Sequence, residues 1–246
     1  TFFYPSLGAS FVFSELIESN VVSFGKIRAG WATVGQAYDQ EEYPTQNIFL
    51  QGSSAVGGFL TDGIQFPFSG QNAFSQSVIL RSEDLKPLNK ISYEIGMDLR
   101  FFNDRIGIDY TYFRDDVEDQ IFEVPIPASS GYEAELRNAG KLRTTGHEIA
   151  MNIRPISRGG FNWDIGINYT SFKNEVIELA PGVANIYLGG FTTPSIRALQ
   201  GSTYPSIFGV GYLRDESGRI VVLDDPGNTY HGMPLQDPVA KKVGDV

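Results

Sequence analysis

Residues 91–112 read ISYEIGMDLRFFNDRIGIDYTY, and their alternation decides the fold class. Ile91, Tyr93, Ile95, Met97, Leu99 and Phe101 fall on one face; Ser92, Glu94, Gly96, Asp98 and Arg100 fall on the other. A period of two marks a strand with one apolar and one wet face. Asn103-Asp104 then supplies a turn of residues that tolerate positive φ. With that turn Phe101 faces Ile106, Leu99 faces Ile108, Met97 faces Tyr110 and Ile95 faces Tyr112, so turn and pattern agree on the register. The same register sets Asp98 opposite Asp109. Opposed like charges are unfavourable unless their face is well hydrated, so that face must be wet.

The pattern recurs along the chain. Leu7, Ala9, Phe11 and Phe13 share a face, as do Ile27, Ala29 and Trp31, with Phe24 out of phase and signalling a bulge. Ile149, Met151 and Ile153 alternate with Glu148, Ala150, Asn152 and Arg154; Phe161, Trp163, Ile165, Ile167 and Tyr169 alternate with Asn162, Asp164, Gly166, Asn168 and Thr170. The expected strands lie near 4–13, 22–34, 90–102, 105–120, 141–154 and 161–177. Long loops are expected over 35–89, 122–136 (where Pro125 and Pro127 forbid regular laddering) and 179–246. One hairpin is expected inside the last loop, around the turn at Asp215–Gly218.

The connections run short, long, short, medium, short, long. In an up-and-down array this puts the short turns at one end and the long loops at the other, as in outer-membrane barrels. Aromatics agree: Phe101, Phe102, Phe161 and Trp163 lie beside the short turns, and Tyr93, Tyr110, Tyr112 and Tyr169 lie farther along, flanking an aliphatic band. The fold class expected is all-β, an antiparallel transmembrane β-barrel segment of about six strands. Since the smallest such barrels need about eight strands, all 246 residues are expected to form part of one larger barrel domain. The plain alternative is a soluble β-sandwich with aromatics in its core.

Composition narrows the chemistry. A net charge of -10 argues against a nucleic-acid partner. With no cysteine there is neither a disulfide framework nor a thiolate nucleophile, and His147 and His231 are isolated, which speaks against a histidine metal site or triad. No apolar run approaches the ~18 residues of a membrane helix, and no signal peptide is expected within the strand-like opening at Thr1. A closed barrel nevertheless satisfies every backbone group inside a bilayer. No pair of carboxylates stands in a context for general acid–base work, so no catalytic residue, metal or cofactor is expected.

Several blocks together resemble the SusC/RagA family of TonB-dependent outer-membrane transporters of Bacteroidetes-type bacteria. They are LKPLNKISYEIGMDLRFFNDRIGIDYTYF from Leu85, PIPASSGYEAELRNAGKLRTTGHEIAMNIRPI from Pro125, FNWDIGINYTSFKNEVIEL from Phe161, SIFGVGYLRDESGRIVV from Ser206 and FGKIRAGWATVG from Phe24. The resemblance covers most of the chain outside residues 38–82. Leu88-Asn89-Lys90 departs from it, where the family more often shows a Glu-x-Ser-like stretch. It implies a middle-to-late portion of a barrel of about 22 strands, with the amino-terminal plug, the TonB-engaging segment and the remaining strands absent here. The implied function is TonB-dependent import of an oligosaccharide or peptide, under a SusD-like lipoprotein lid and in contact with outer-membrane lipid. A dimer of transporter–lid pairs is also compatible with it. The rivals are a soluble carbohydrate-binding module, a sandwich glycosidase and a passive porin.

Candidate site residues follow from the two faces. Glu94, Asp98, Arg100, Asp109, Asn152, Arg154, Asp164 and Asn168 form an expected lumen-facing polar wall. Tyr132, Tyr187, Phe191, Tyr204 and Tyr212, on the loops, are candidates to stack on substrate or pack against the lid. The charged run Arg114-Asp115-Asp116-Val117-Glu118-Asp119 reads most simply as a solvated rim facing the outer-leaflet headgroups. Asp215-Glu216-Ser217-Gly218 lacks calcium-loop spacing and reads as a hairpin turn.

Overall fold

The computed structural model describes residues 3–38, 45–51, 67, 69–191 and 193–245. In chain order the strands are β1 (Ser6–Val12), β2 (Val22–Gln36), β3 (Phe49–Gln51), β4 (Phe74–Gln76), β5 (Ile79–Arg81), β6 (Leu88–Phe101) and β7 (Ile106–Pro125). They continue as β8 (Ala134–Arg158), β9 (Phe161–Leu179), β10 (Asn185–Gly190), β11 (Ser195–Leu199), β12 (Ser206–Gly209) and β13 (Lys241–Asp245). Two compact units divide the chain. The first holds Thr1–Glu41, Lys86–Ile121 and Gly140–Ile177, and the second holds Glu42–Leu85, Phe122–Ala139 and Glu178–Val246.

The first unit is built from long strands in the order β1-β2-β6-β7-β8, with β9 on β8. The pairing of β6 with β7 is the one the alternation requires: Phe101 opposes Ile106, Met97 opposes Tyr110 and Asp98 opposes Asp109. Carried across four strands, the registers set whole rows of the apolar face at one level. Leu7, Trp31, Tyr93 and Arg114 form one such row; Ala9, Ala29, Ile95 and Tyr112 form the next. Phe11, Ile27, Met97 and Tyr110 form a third. The Phe24 irregularity is a register shift between Val22 and Phe24, which turns the Phe24 ring onto the polar face beneath the Arg100 guanidinium, 5.1 Å away.

This apolar face is not a core. Ile95 is 63% exposed, Phe161 60% and Leu7 72%. A water-soluble sheet would bury such a continuous apolar surface, so these strands are built to be covered by a medium as apolar as they are.

The turns show why the strands reverse where they do. Between β6 and β7, Phe102, Asn103 and Asp104 all take left-handed backbone, with φ of 56°, 54° and 63°. Asn and Asp tolerate that region and Phe does not, so this turn needs one strained residue more than Asn103-Asp104 alone. Gly159-Gly160, with φ of 61° and 82°, makes the β8–β9 reversal without a side-chain penalty.

The second unit holds most of the fully buried apolar side chains, among them Val124, Leu136, Ile186 and Ala198. Here β5 joins β8 in parallel, Ile79 opposite Ala134 and Arg81 opposite Leu136. A four-stranded sheet runs β10-β11-β12-β13, so residues 179–246 carry far more strand than one hairpin. Extended backbone also reaches Pro125 on β7 and starts at Ala134 on β8, shortening the connection between them. Residues 211–237 add a small three-sided ribbon. Leu213 N–H donates to Leu235 O (2.8 Å), Leu235 N–H to Val221 O (2.9 Å) and Val221 N–H to Leu213 O (2.9 Å). The expected hairpin is one corner of it, with Arg214 bridged to Ile220.

Candidate functional site

The polar face of the first unit gathers around Arg28 of β2. Its guanidinium donates to both carboxylate oxygens of Asp109, Nη1 to Oδ2 at 3.0 Å and Nη2 to Oδ1 at 2.8 Å, and Nη2 also reaches Thr111 Oγ1 at 2.5 Å. Its Nε lies 3.5 Å from Glu94 of β6. One side chain thus spans three strands and answers the opposed Asp98 and Asp109, helped by Lys26, which stands opposite Asp98. The bidentate fork suits a carboxylate better than a lysine would. Gly96 makes the span feasible. A Cβ there would lie 2.7 Å from Arg28 Nε and 2.8 Å from Cζ, so only a glycine lets the guanidinium lie flat across β6.

The other wall residues fall into two polar hollows. Asp98, Arg100, Asp109 and Asn152 line one of about 340 Å³. Asn152, Arg154 and Asp164 line the second, of about 290 Å³, where Arg154 Nε donates to Asp164 Oδ1 at 2.6 Å. Asn168 is exposed on β9. Arg28 and Thr111 complete this constellation, and so do two aromatics on the same polar face: the Phe113 ring and the base of Phe172 crowd Gly146 from either side. The signal that finds them is glycine in phase with polar residues in mid-strand, which marks a neighbouring side chain laid across the backbone.

The loop aromatics sit in the second unit, in different surroundings. The Tyr132 hydroxyl accepts a hydrogen bond from Gln76, and the Tyr187 hydroxyl donates to Gly190 O. Tyr204 is half-buried with its ring 6.3 Å from Phe122, and burial raises its pKa above the ordinary tyrosine value. Phe191 and Tyr212 are more than half exposed.

Asp215 turns its carboxylate inward on its own turn, accepting the Ser217 and Arg219 N–H groups, each at 2.9 Å, and Arg219 Nε at 3.0 Å. Those bonds, the Arg219 N–H first, hold its pKa below the usual carboxylate value; Lys241 chiefly does the same for Asp237. A depressed folded pKa contributes stability that is present above the unfolded value of about 3.9 and lost as pH falls through the folded one. The protection factors of the Ser217 and Arg219 amides, taken against the intrinsic exchange rate at each pH, are therefore expected to hold at pH 5 and to fall as the pH drops below about 4; equal protection at pH 5 and pH 2.5 would contradict this. No group of three or more metal-type ligands occurs among the described residues.

Known proteins share both the sequence and the fold. The family described as "TonB dependent receptor-like, beta-barrel" matches residues 1–238. The TonB-dependent receptor SusC of Bacteroides thetaiotaomicron is 29% identical over 185 residues, 73% of this chain and 17% of its own length. The TonB-dependent receptor P26 of Formosa agariphila is 26% identical over 220 residues, 86% of this chain and 21% of its own. The solved structure of the RagAB peptide transporter superposes with a TM-score of 0.71 at 17% identity, over 98% of this chain and 26% of that one. The chain thus spans about a fifth of these curated relatives and a quarter of the solved chain. An exposed apolar face banded by aromatics, a wet face opposite it and an unclosed antiparallel sheet are what a portion of such a barrel presents. The chain belongs to the TonB dependent receptor-like β-barrel family, and its strands form a portion of such an outer-membrane barrel.

Proposed function

We propose that the whole protein imports an oligosaccharide or a peptide across the outer membrane, driven through TonB and working with a SusD-like lipoprotein as its lid. The observation that carries this is the family match over residues 1–238, supported by relatives that include SusC itself. In this reading the face carrying Glu94, Asp98, Arg100, Asp109, Asn152, Arg154, Asp164 and Asn168 lines the interior, and its hollows hydrate the passing solute. Most of these charges are neutralised in pairs, which suits a path for neutral or zwitterionic solutes. The chain contributes wall and loops and no bond-making chemistry.

The test is uptake of labelled oligosaccharide and labelled peptide by cells expressing the full-length protein, with and without TonB. The reading expects accumulation of one class of solute that disappears when TonB is removed. Accumulation that persists without TonB would point instead to a passive pore. Of the loop candidates, Phe191 and Tyr212 are the ones presented to solvent. Tyr212→Ala is expected to weaken capture of substrate or lid about five-fold, the ~1 kcal/mol of one aromatic contact. An unchanged half-saturation concentration for uptake together with unchanged lid retention would exclude that role.

A further inference from the structure

We infer that the apolar face of the first unit binds a membrane lipid with a net negative phosphate headgroup. The acyl chain would lie in a groove over Ala9 and Ala29, and the headgroup would sit on Arg114 and Arg143. The groove follows from the registers. Ala9 and Ala29 are neighbours in one row, and the low floor they make is walled by Ile27, Ile95 and Met97 and ends against Tyr112, enclosing about 550 Å³. It lies on the face already argued to meet the bilayer, so an acyl chain is the occupant continuous with its surroundings.

The end of the groove changes chemistry within one strand step. Tyr110 Oη and His147 Nδ1 hydrogen-bond at 2.8 Å, and the Tyr112 ring stands 5.2 Å from the imidazole. Such amphipathic rings belong at the level where hydrocarbon gives way to headgroups. Arg114 and Asp116 follow on the same face of β7, and Arg143 reaches them from β8. Asp116 is buried, and its carboxylate accepts Arg143 Nε at 2.6 Å and Arg114 Nε and Nη2 at 2.9 and 2.7 Å. A buried carboxylate that clamps two guanidiniums fixes their outer edges in place. Both terminal nitrogens of Arg143, and Nη1 of Arg114, have no hydrogen-bond partner among the described residues. Beside them Lys141 is paired to Glu118 and Lys90 to Asp115, so neither of those carboxylates draws on the two guanidiniums. Unspent planar donors above an apolar groove complement a phosphate at the head of an acyl chain.

The experiment is native mass spectrometry of the full-length transporter in mild detergent, with phosphatidylglycerol and phosphatidylcholine added in equal amounts. The wild type is expected to retain phosphatidylglycerol in about five-fold preference, the order of the ~1 kcal/mol that one cation contributes at a membrane surface. Arg114→Gln combined with Arg143→Gln should bring the two lipids level. Ala29→Phe, which fills the groove, should lower retention of both, with Ala29→Val as the milder filling if the phenylalanine variant does not fold. Folding of each variant is checked by its heat-shifted mobility in electrophoresis. Equal retention of the two lipids by the wild type, a preference that survives the double glutamine change, or retention unaffected by filling the groove would overturn the assignment.

Discussion

Gly146→Leu in the full-length protein is expected to lower the unfolding temperature of the barrel sharply, at a cost of about 3 kcal/mol or more. A Cβ at position 146 would meet the Phe113 ring at 2.5 and 2.7 Å and the Phe172 Cβ at 2.9 Å. The ring could swing aside, but the Cβ of Phe172 is fixed to the backbone of β9 and cannot yield without shifting the strand. Overpacking against such an atom costs more than overpacking against a side-chain tip. Gly166→Ala on the same polar face is the control, because its nearest neighbour is Asn152 Oδ1 at an ordinary 3.6 Å. The measurement is the temperature at which the compact, heat-sensitive electrophoretic form is lost. If both variants lose it at the same temperature as the wild type, Gly146 has no packing role.

That contrast shows how far the chain could be read in advance. The strands of the first unit were legible because alternation, turn residues and aromatic placement are local and repeat one another. Asp98 opposite Asp109 followed from counting alone. What neutralises the pair did not, because Arg28 lies 81 residues from Asp109 and nothing in its own neighbourhood says which strand it will cross. The aromatics of the polar face were hidden for a related reason: Phe113 and Phe172 fall at positions where alternation calls for polar residues, and only the glycine between them explains the exception. In the second unit the signals are weaker still. Strands β10 to β13 are four to six residues long, and their ladders are interrupted by register shifts at Tyr187/Gly189 and Ile207/Phe208. The second partner of β12, β13, arrives only after the ribbon at 211–237. Of the loop aromatics, position in sequence could not tell Tyr204, half-buried against Phe122, from Tyr212, which stands in solvent.

Gly96→Val is expected to act through a side chain, not through the backbone, and this makes it separable from Gly146→Leu. The atoms a new Cβ would strike are the Nε, Cζ and Nη2 of Arg28, the far end of a flexible chain that can move away. Moving it breaks the fork to Asp109 and the bond to Thr111 and leaves Asp109 facing Asp98 without its own guanidinium, while Asp98 keeps Arg100 at 3.6 Å and Lys26 opposite it. Both partners are part-exposed, at 29% and 43% of their side-chain surface, so solvent screens the loss to about 1–2 kcal/mol. Arg28→Ala should cost a similar amount for the same reason. The decisive comparison is the double variant. If the glycine exists to make room for the guanidinium, Gly96→Val adds little once Arg28 is gone, and the coupling energy equals most of either single effect. Additive losses would mean that position 96 is constrained by something other than Arg28. Salt supplies a second reading: raising ionic strength should shrink the cost of Arg28→Ala, because the carboxylates it leaves behind are then screened. The cost of Gly146→Leu, which involves no charge, should not change.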